Sequence, residues 1–377
     1  MVLKPIHSDR LLEEFIQLTK IDSLSFMERN MADYIKRKME ELGITAYEDD
    51  AGSCCNGTAG NVYGYFYNDE NCKQQEGPLL FSAHMDTVSP GIGKKAMVHE
   101  DGTITSDGTT ILGADDLSAL AIILEVIREI KEEGLAHRDI ELLFPIAEEA
   151  YGVGSAAFDY SKLEAKEAYV LDVSGPVGTI SMQEPTLISY EITVKGQAAH
   201  AGFEADKGVN AIAIAAEAIT KIKQGQIDEE TTFNIGLIKG GAATNIVPDL
   251  VVIKGEVRSI DHEKAVKLVE AAAHTFEETA HRYGGTVESK HTIHLIAYQL
   301  EEEDPLVKQY ARVCEKLSIP VVYKRTFGGS DNNMFWRNGI RGVVIANGMN
   351  QIHTKEEFTS VDELVRAAQT VKYLMTI

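Results

Sequence analysis

The feature that most constrains this chain is a series of histidines and acids, most of which directly follow an apolar, strand-like run. In chain order, the series is His84, Asp86, Asp115, Asp116, Glu148, Glu149, Asp172 and His353. Side chains at the carboxyl ends of parallel strands gather at one edge of a sheet. Imidazoles and carboxylates bind divalent cations, and a spare acid beside them can act as a base. The ordered set therefore indicates a two-metal site of the kind that hydrolases use.

Each of these residues has a simpler explanation when it is considered alone. Asp115 and Asp116 precede a helix predicted over 117–131 and could cap it. Asp172 ends a short apolar run and could be a turn residue. His353 could be an exposed loop histidine. The metal-binding interpretation therefore depends on the whole set rather than on any one position.

The same residues suggest how the work of such a site is divided. One carboxylate can bridge two cations with its two oxygens, and Asp115 is favoured because the glycine two residues before it lets the backbone approach a crowded site. Of Glu148 and Glu149, one can bind metal while its neighbour removes a proton from water. Asp86 can accept a proton from the second nitrogen of His84 and so fix the tautomer of that ring.

Apolar periodicity predicts an α/β domain around these residues. The continuous apolar run Leu79–Phe81 is typical of a strand that is covered on both faces. Ser25 and Glu28 form a capping-box pattern at the start of the second helix, and Ser360 and Glu363 form a capping pair at the start of the last one. Strands that alternate with helices favour a mostly parallel sheet. Strands are predicted over 61–67, 78–83, 140–146 and 168–171, and helices over 8–19, 26–42 and 117–131.

A different pattern begins near residue 180. The elements that follow have the order strand, helix, strand, strand, helix, strand, which is the ferredoxin-like signature of an α+β domain. They are predicted over 187–195, 208–223, 232–239, 250–258, 262–283 and 285–293. Signals for helices and strands then resume over 304–317, 319–323, 331–337, 342–346 and 361–375. We therefore predict an α/β domain in two parts, 1–180 and 295–377, interrupted by an inserted domain at 181–294.

The charge of the chain excludes some classes of partner. Its 36 basic and 58 acidic residues give a formal net charge of -22, which repels nucleic acids and anionic membranes. No apolar run is long enough to span a bilayer, and the first residues lack the apolar core of a signal peptide. The cysteines have no CxxC spacing and suit a reducing compartment; they are Cys54, Cys55, Cys72 and Cys314. We therefore expect a cytoplasmic protein that binds neither nucleic acid nor membrane.

The ordered set, from His84-x-Asp86 to His353, resembles that of the dizinc aminopeptidases and acylases. This metallopeptidase family includes peptidase T, carnosinase and aminoacylase. The resemblance covers essentially the whole chain, and Leu112–Asp116 is most similar to the peptidase T branch of tripeptidases. It implies a catalytic domain of zinc-peptidase-like architecture that binds two divalent metal ions, with zinc the leading candidate. One departure is Leu117, where relatives in this branch commonly have lysine.

The resemblance also implies a role for each member of the set. Glu148 would be the general base, and Asp86 would orient His84. The peptide bond between Asp115 and Asp116 would be cis. The two metal ions would share one bridging carboxylate, and their ligands would be His84, Asp115 and Asp172 for one ion and Asp115, Glu149 and His353 for the other.

Further matches to the family lie in the predicted inserted domain and after it. His200 would polarise the scissile carbonyl, which in this family is often done from the partner subunit. Asn245 and Arg258 would hold the substrate, and a guanidinium group suits a peptide carboxylate. Gly328 and Gly329 would form a substrate loop, although a plain tight turn explains them equally well. An edge strand of the inserted domain would let two copies join as a homodimer.

The resemblance favours one activity and leaves others open. Aspartate at the position of Asp172 tends to accompany aminopeptidases and dipeptidases in this family. We therefore expect hydrolysis of the N-terminal residue from tripeptides or other short peptides by a dizinc-activated water. The alternatives are an N-acyl amino acid deacylase or a dipeptidase. A non-catalytic binding protein on the same fold is a distant alternative, because such a relative is expected to have lost ligands or the base.

Overall fold

The computed structural model describes residues 3–68 and 77–376, and these residues form two compact units. The first unit comprises the described residues up to Met182, then Leu300–Thr326, and the residues from Ser330 onward. The second unit comprises Gln183–Gln299 and the short segment Phe327–Gly329. The chain thus has one domain in two parts and a second domain inserted between them.

The described residues form helices α1–α10 and strands β1–β17. The helices span, in chain order, Ser8–Thr19, Arg29–Glu41, Ala51–Cys55, Ala114–Glu133, Val153–Ala157, Ala211–Lys221, His262–Arg282, Pro305–Lys316, Asn332–Arg337 and Val361–Thr376. The strands span Ala46–Glu48, Val62–Phe66, Leu79–Ser82, Met97–Val98, Thr103–Thr105, Ile140–Phe144, Glu167–Val173, Thr179–Glu184, Thr186–Lys195, Gly225–Asp228, Thr231–Gly240, Leu250–Ser259, Thr286–Leu295, Tyr298–Gln299, Val322–Arg325, Arg341–Ala346 and Phe358–Ser360.

The main sheet is mixed, with a parallel centre, which confirms the predicted α/β class. Its strand order is β1-β2-β6-β3-β7-β16-β8-β14, and β15 pairs with β8. Strands β6, β3, β7 and β16 run parallel to one another. The strands outside them on this path pair in antiparallel fashion. The carboxyl ends of the four parallel strands therefore meet at one edge of the sheet, where sites of α/β proteins are commonly built.

The core of the first unit explains why polar groups near α4 are removed from water. Leu79–Phe81 in β3 is fully buried, as the continuous apolar run predicts. Helix α4 packs against α1, α10 and β7, and every residue from Ala114 to Ile127 is buried. The first turn of α4, with Asp115 and Asp116, therefore lies in the protein interior beside the end of the sheet.

The second unit has the predicted element order, with one short strand added. Its antiparallel sheet has the order β10-β11-β12-β9-β13. Alternate residues of β9 are buried with apolar residues of α6 and α7, as expected for a sheet with helices on one face; in β9 they are Ile188, Tyr190, Ile192 and Val194. The extra strand β10 pairs only with the first residues of β11.

The predicted capping box at the second helix is wrong. Helix α2 begins at Arg29 and has no side-chain cap. The hydroxyl of Ser25 donates instead to Asp86, and the carboxylate of Glu28 accepts the N–H groups of Phe26 and Ala147. Tertiary contacts near the sheet edge have therefore taken both residues away from the helix end.

Two predictions near the C-terminal end have different outcomes. The strand predicted over 319–323 begins later, at Val322, because the N–H of Ile319 still closes the end of α8 by donating to the carbonyl of Cys314. At α10, the predicted cap is confirmed, since the Ser360 hydroxyl oxygen accepts the N–H of Glu363 at 3.2 Å.

Within the described ranges, no helix is both long and apolar enough to cross a membrane. Cys54, Cys55 and Cys314 are free thiols, and Cys72 lies outside the described residues. The cytoplasmic location and the lack of nucleic-acid binding remain predictions from the sequence.

Lys372 provides a test of how α10 is held against α4. Its buried ammonium group donates to Glu129 at 2.7 Å and to Glu133 at 2.8 Å. We expect Lys372→Met to lower the free energy of unfolding by about 3–5 kcal/mol, because Glu129 would keep a buried charge without its partner. Urea denaturation at pH 7 measures this loss.

The matched control for this prediction is Lys308→Met. Lys308 is exposed on α8, and its replacement should change the free energy of unfolding by no more than about 0.5 kcal/mol. Equal stability of the two variants would show that the Lys372 contacts contribute nothing specific.

Candidate metal centre and active site

Asp115 lies between two histidines that come from distant parts of the chain. Its Oδ1 is 3.1 Å from Nε2 of His84, and its Oδ2 is 3.2 Å from Nε2 of His353. The same nitrogen of His353 is 2.8 Å from Oε1 of Glu149. A carboxylate that bridges two cations presents one oxygen to each, and here each oxygen faces a different imidazole.

The five predicted ligands and the predicted base lie together in the first unit. Ligand atoms of His84, Asp115 and Glu149 lie within 4.8 Å of one another, and so do those of His84, Glu148 and Asp172. Neither group equals one of the two predicted ligand sets, because the first combines His84 with Glu149 and the second contains Glu148 rather than Asp115. Glu148 is therefore close enough to act on a molecule bound between these groups, and also close enough to be a ligand.

The acids of this centre are crowded and removed from water. Burial raises the pKa of Glu148 and Asp172 well above the usual values, and nearby negative charges add to the effect. Burial and the charge of Asp115 also raise the pKa of Glu149. The group cannot carry its full negative charge unless cations neutralise it. The donor set therefore fits divalent metal ions that accept carboxylate and imidazole ligands.

The two histidines are held by these acids. Burial acts to lower the pKa of His84, but hydrogen bonds with Asp115 and Asp86 outweigh it and raise that pKa well above its usual value. Hydrogen bonds with Asp115 and Glu149 raise the pKa of His353 to about 10. Metal ligation requires neutral imidazoles, so protons and metal ions compete for these nitrogens.

Asp86 connects the two halves of the centre. Its Oδ1 is 3.3 Å from Nδ1 of His84, which is the contact expected of a residue that orients the ring. The same carboxylate accepts the N–H of Glu148 at 2.9 Å, the N–H of Glu149 at 3.2 Å and the hydroxyl of Ser25 at 2.7 Å. Asp86 therefore fixes the backbone of both glutamates as well as one imidazole.

The backbone at the start of α4 is irregular. The peptide bond between Asp115 and Asp116 is cis, as the resemblance implies. Both residues have non-helical φ and ψ angles. The carboxylate of Asp116 has different partners from that of Asp115. It accepts the side-chain amide of Asn347 at 2.7 Å and the N–H of His84 at 3.2 Å.

Sequence reasoning missed several buried polar residues around the centre. Glu357 accepts the N–H groups of Gly113 and Asp115. Asn347 donates to Asp116 and to the carbonyl of Leu171. Position in the sequence gives a signal for both, because one follows β16 and the other lies four residues after His353. Neither signal distinguishes these residues from their polar neighbours.

The predicted carbonyl-polarising histidine lies in the second unit. His200 is exposed, and its Nδ1 accepts the N–H groups of Gly202 and Phe203 at 3.1 and 3.2 Å. The neutral ring therefore carries its proton on Nε2, where it can be donated to a carbonyl oxygen. The adjacent N–H of Ala201 donates to the carbonyl of Asn245, which brings two predicted substrate residues together.

The other predicted substrate residues also belong to the second unit. Nε of Arg258 donates to Oε1 of Glu256 at 2.9 Å, and Nη1 donates to the carbonyl of Phe327 at 3.0 Å. Gly328 and Gly329 directly follow that carbonyl. The guanidinium group of Arg258 therefore has an internal carboxylate partner, and its binding of a substrate carboxylate remains a prediction.

Comparisons with known proteins agree with this architecture. The peptidase dimerisation domain of the M20 family matches residues 183–284, and peptidase family M28 matches residues 61–218. The Bacillus subtilis (strain 168) protein YqjE is 40% identical, and the match covers 97% of each chain.

Two solved structures are similar over nearly the whole chain. The aminopeptidase PepT from Bacillus cereus ATCC 10987 is 37% identical, with a TM-score of 0.89 and coverage of 98% of each chain. A tripeptidase from Staphylococcus aureus subsp. aureus Mu50 is 35% identical, with a TM-score of 0.92 and coverage of 99% of each chain.

Fold and site together define a class of protein. An α/β domain with a centre of histidines and carboxylates, interrupted by an inserted α+β domain, is a metal-dependent peptidase. The sequence identity with relatives over almost the full length narrows the family assignment. The chain belongs to the peptidase T-like members of the M20 metallopeptidase family.

Glu28 is a buried acid beside this centre whose charge affects stability. Its Oε1 accepts the N–H groups of Phe26 at 2.8 Å and Ala147 at 3.0 Å, whereas its Oε2 has no hydrogen-bond partner among the described residues. Burial and the charge of Asp86 raise the pKa of Glu28 from 4.5 to about 7. The folded protein therefore binds this proton more tightly than the unfolded chain does.

This difference predicts how stability depends on pH. The contribution of Glu28 is fully present below pH 4.5 and is lost as pH rises toward 7, because ionisation is then favoured in the unfolded chain. The loss amounts to about 3 kcal/mol, since one pKa unit corresponds to about 1.4 kcal/mol. Glu28→Gln should therefore gain stability relative to the wild type as pH rises from 4.5 to 7.

Urea denaturation at several pH values between 4.5 and 8 measures this effect. The control is Glu13→Gln, which makes the same chemical change at an exposed position of α1. Stability curves for Glu28→Gln and the wild type that stay parallel over this range would contradict the prediction.

Proposed function

We propose that this chain is a dizinc aminopeptidase that removes the N-terminal residue from tripeptides or other short peptides. The observation that carries the proposal is the placement of Asp115 between His84 and His353, with the acids of the centre around them. The substrate class is supported by the similar structures, which are of an aminopeptidase and a tripeptidase.

The proposed ligands follow from the donor atoms that lie together. Asp115 would be the ligand shared by both ions, because each of its oxygens faces a different histidine. Zinc is favoured as the metal, since it accepts both imidazole nitrogen and carboxylate oxygen. One ion would be held by His84, Asp115 and Asp172, and the other by Asp115, Glu149 and His353.

Peptide hydrolysis at this centre requires a base and a group that stabilises the developing oxyanion. Two bound divalent ions would supply Lewis acidity that lowers the pKa of the attacking water and polarises the carbonyl. Glu148 accepts the proton of that water and returns it to the leaving amine as the amide C–N bond breaks. The Nε2–H of His200 is a suitable donor to the carbonyl oxygen, and Arg258 to the peptide carboxylate.

The position of Glu148 is consistent with this role. Its carboxylate lies within 4.8 Å of potential ligand atoms of His84 and Asp172, so it can reach a water molecule held beside them. Asp86 supports Glu148 through the N–H of that residue, so the base is held by a buried carboxylate and not by solvent. Asp86 would therefore hold the base in place, and Glu148 would transfer the proton.

An assay with three substrates tests the proposed activity. An unblocked tripeptide should be cleaved, an N-acetylated amino acid should not, and a dipeptide should be cleaved more slowly than the tripeptide. Activity should disappear with a chelator and return when zinc is added. Preferential hydrolysis of the N-acetylated amino acid would support a deacylase instead, and activity unaffected by metal removal would exclude the proposed chemistry.

In the same assay, Glu148→Gln and Glu149→Gln form a matched pair. Glu148→Gln should lower kcat by about 10²–10⁴-fold and should still bind two metal ions, because it removes a base. Glu149→Gln should lower both activity and the amount of bound metal, because it removes a ligand. Near-normal turnover in the metal-loaded Glu148→Gln variant would show that the base is another group.

We also propose that the protein is a homodimer formed through the inserted domain. Strand β10 pairs with β11 only up to Phe233, so the outer edge of β11 from Asn234 to Gly240 has no partner strand among the described residues. This edge exposes Leu237 and Ile238, which are 49% and 55% accessible. An unpaired, apolar edge of this kind can pair with a second copy, and the dimerisation-domain match covers it.

A charge at this edge should weaken the dimer. We expect Ile238→Lys to raise the dissociation constant of the dimer at least about tenfold, because the added ammonium would have to be buried in the paired edge. Analytical ultracentrifugation over a concentration series measures this constant. Val322→Lys is the control, since Val322 is 44% accessible in the first unit. An unchanged constant for Ile238→Lys would place the interface elsewhere.

A further inference from the structure

Glu357 is a buried acid that contacts the backbone on both sides of Ala114. Its Oε2 accepts the N–H of Gly113 at 2.7 Å, and its Oε1 accepts the N–H of Asp115 at 2.9 Å. The side chain is fully buried, so water does not compete for these hydrogen bonds. Both carboxylate oxygens are therefore used to fix the short segment from which the central carboxylate projects.

The same segment is packed on its other side by an aliphatic side chain. Gly113 has a φ of +79°, and a Cβ there would lie 3.1 Å from Cδ of Lys94 and 3.2 Å from Cδ1 of Leu117. Lys94 is buried and donates to the carbonyls of Ile21 and Gly91. The backbone before Asp115 is thus held between the carboxylate of Glu357 and the stem of Lys94.

Glu357 and His353 also belong to one closed loop. The N–H of Asn350 donates to the carbonyl of Phe358 at 2.9 Å, and the N–H of Phe358 donates back to Asn350 at 3.0 Å. Within the loop, the N–H of Glu357 donates to the carbonyl of Thr354. One loop therefore delivers an imidazole to Oδ2 of Asp115 and a carboxylate to the N–H of the same residue.

We propose that Glu357 is a positioning residue that sets the bridging carboxylate of Asp115 between the two metal ions. The proposal rests on the dizinc site proposed above. A bridge must present both oxygens at once, and metal–ligand distances vary by only about 0.2 Å. Small rotations of the backbone at Asp115 would misplace one oxygen. A carboxylate has two acceptor oxygens and can hold both N–H groups at once, whereas the side-chain amide of glutamine has only one.

A carboxylate near a helix N-terminus can also stabilise the helix alone. The position of Glu357 argues for more than this. Its two partners are the N–H groups of Gly113 and Asp115, and the backbone at both residues is non-helical. Glu357 therefore fixes the irregular segment that carries the ligand, and the metal affinity of the centre separates the two roles.

Titration of the metal-free protein with Co²⁺ tests the proposal, because the visible absorbance of bound cobalt reports its coordination. Competition with a chelator gives the two dissociation constants. Glu357→Gln should weaken the second, weaker site by about 10–100-fold, as loss of a residue that orients a ligand commonly does, and should alter the cobalt spectrum. Glu356→Gln makes the same change at the exposed neighbour and should bind like the wild type.

If Glu357→Gln binds two equivalents of Co²⁺ with wild-type affinities and an unchanged spectrum, the proposal is overturned. This holds even if the variant unfolds at a lower temperature than the wild type. If Glu357→Gln does not fold, Glu357→Asp serves in its place, because its shorter carboxylate cannot reach both N–H groups. That variant should also weaken the second site, and wild-type affinity would overturn the proposal. A wild type that binds no cobalt would overturn the dizinc site itself.

Discussion

A buried carboxylate shared by two imidazoles is the interaction on which this centre depends. Burial acts to raise the pKa of Asp115, but hydrogen bonds with His353 and His84 outweigh it and lower that pKa below its usual value. The pKa values of Glu148 and Asp172 shift in the opposite direction, because burial and neighbouring negative charges raise them. One permanent negative charge therefore lies at the middle of a set whose remaining charges need cations.

The topology of the sheet explains how a short-range arrangement arises from distant residues. Strands β3, β6 and β7 end at one edge, and the residues after them or at their ends are His84, the two glutamates and Asp172. The loop that follows β16 brings His353 to the same edge. Parallel pairing fixes the spacing of these strand ends, so the sheet sets where the segments that carry these side chains begin.

The histidines and acids of the centre could be predicted because most of them follow an apolar run that is typical of a buried strand. The layer of buried residues that support these side chains could not be predicted in the same way. Glu356 and Glu357 are adjacent and chemically identical, and only the closed loop that buries one of them distinguishes their roles. Ser25 and Glu28 satisfied a local capping pattern, yet hydrogen bonds to Asp86 and Ala147 determined their positions. Local sequence therefore specifies the ligands better than their supports.

The leucine at position 117, where the family resemblance favours lysine, fits the packing around Gly113. Leu117 is buried, and its Cδ1 and the stem of Lys94 approach Gly113 from neighbouring directions. Burial lowers the pKa of Lys94 to about 8 despite the nearby acids Asp22 and Glu357, which indicates that one ammonium group is already costly here. A lysine at position 117 would place a second one against it. An apolar residue at that position is therefore compatible with Lys94 and leaves every proposed metal ligand in place.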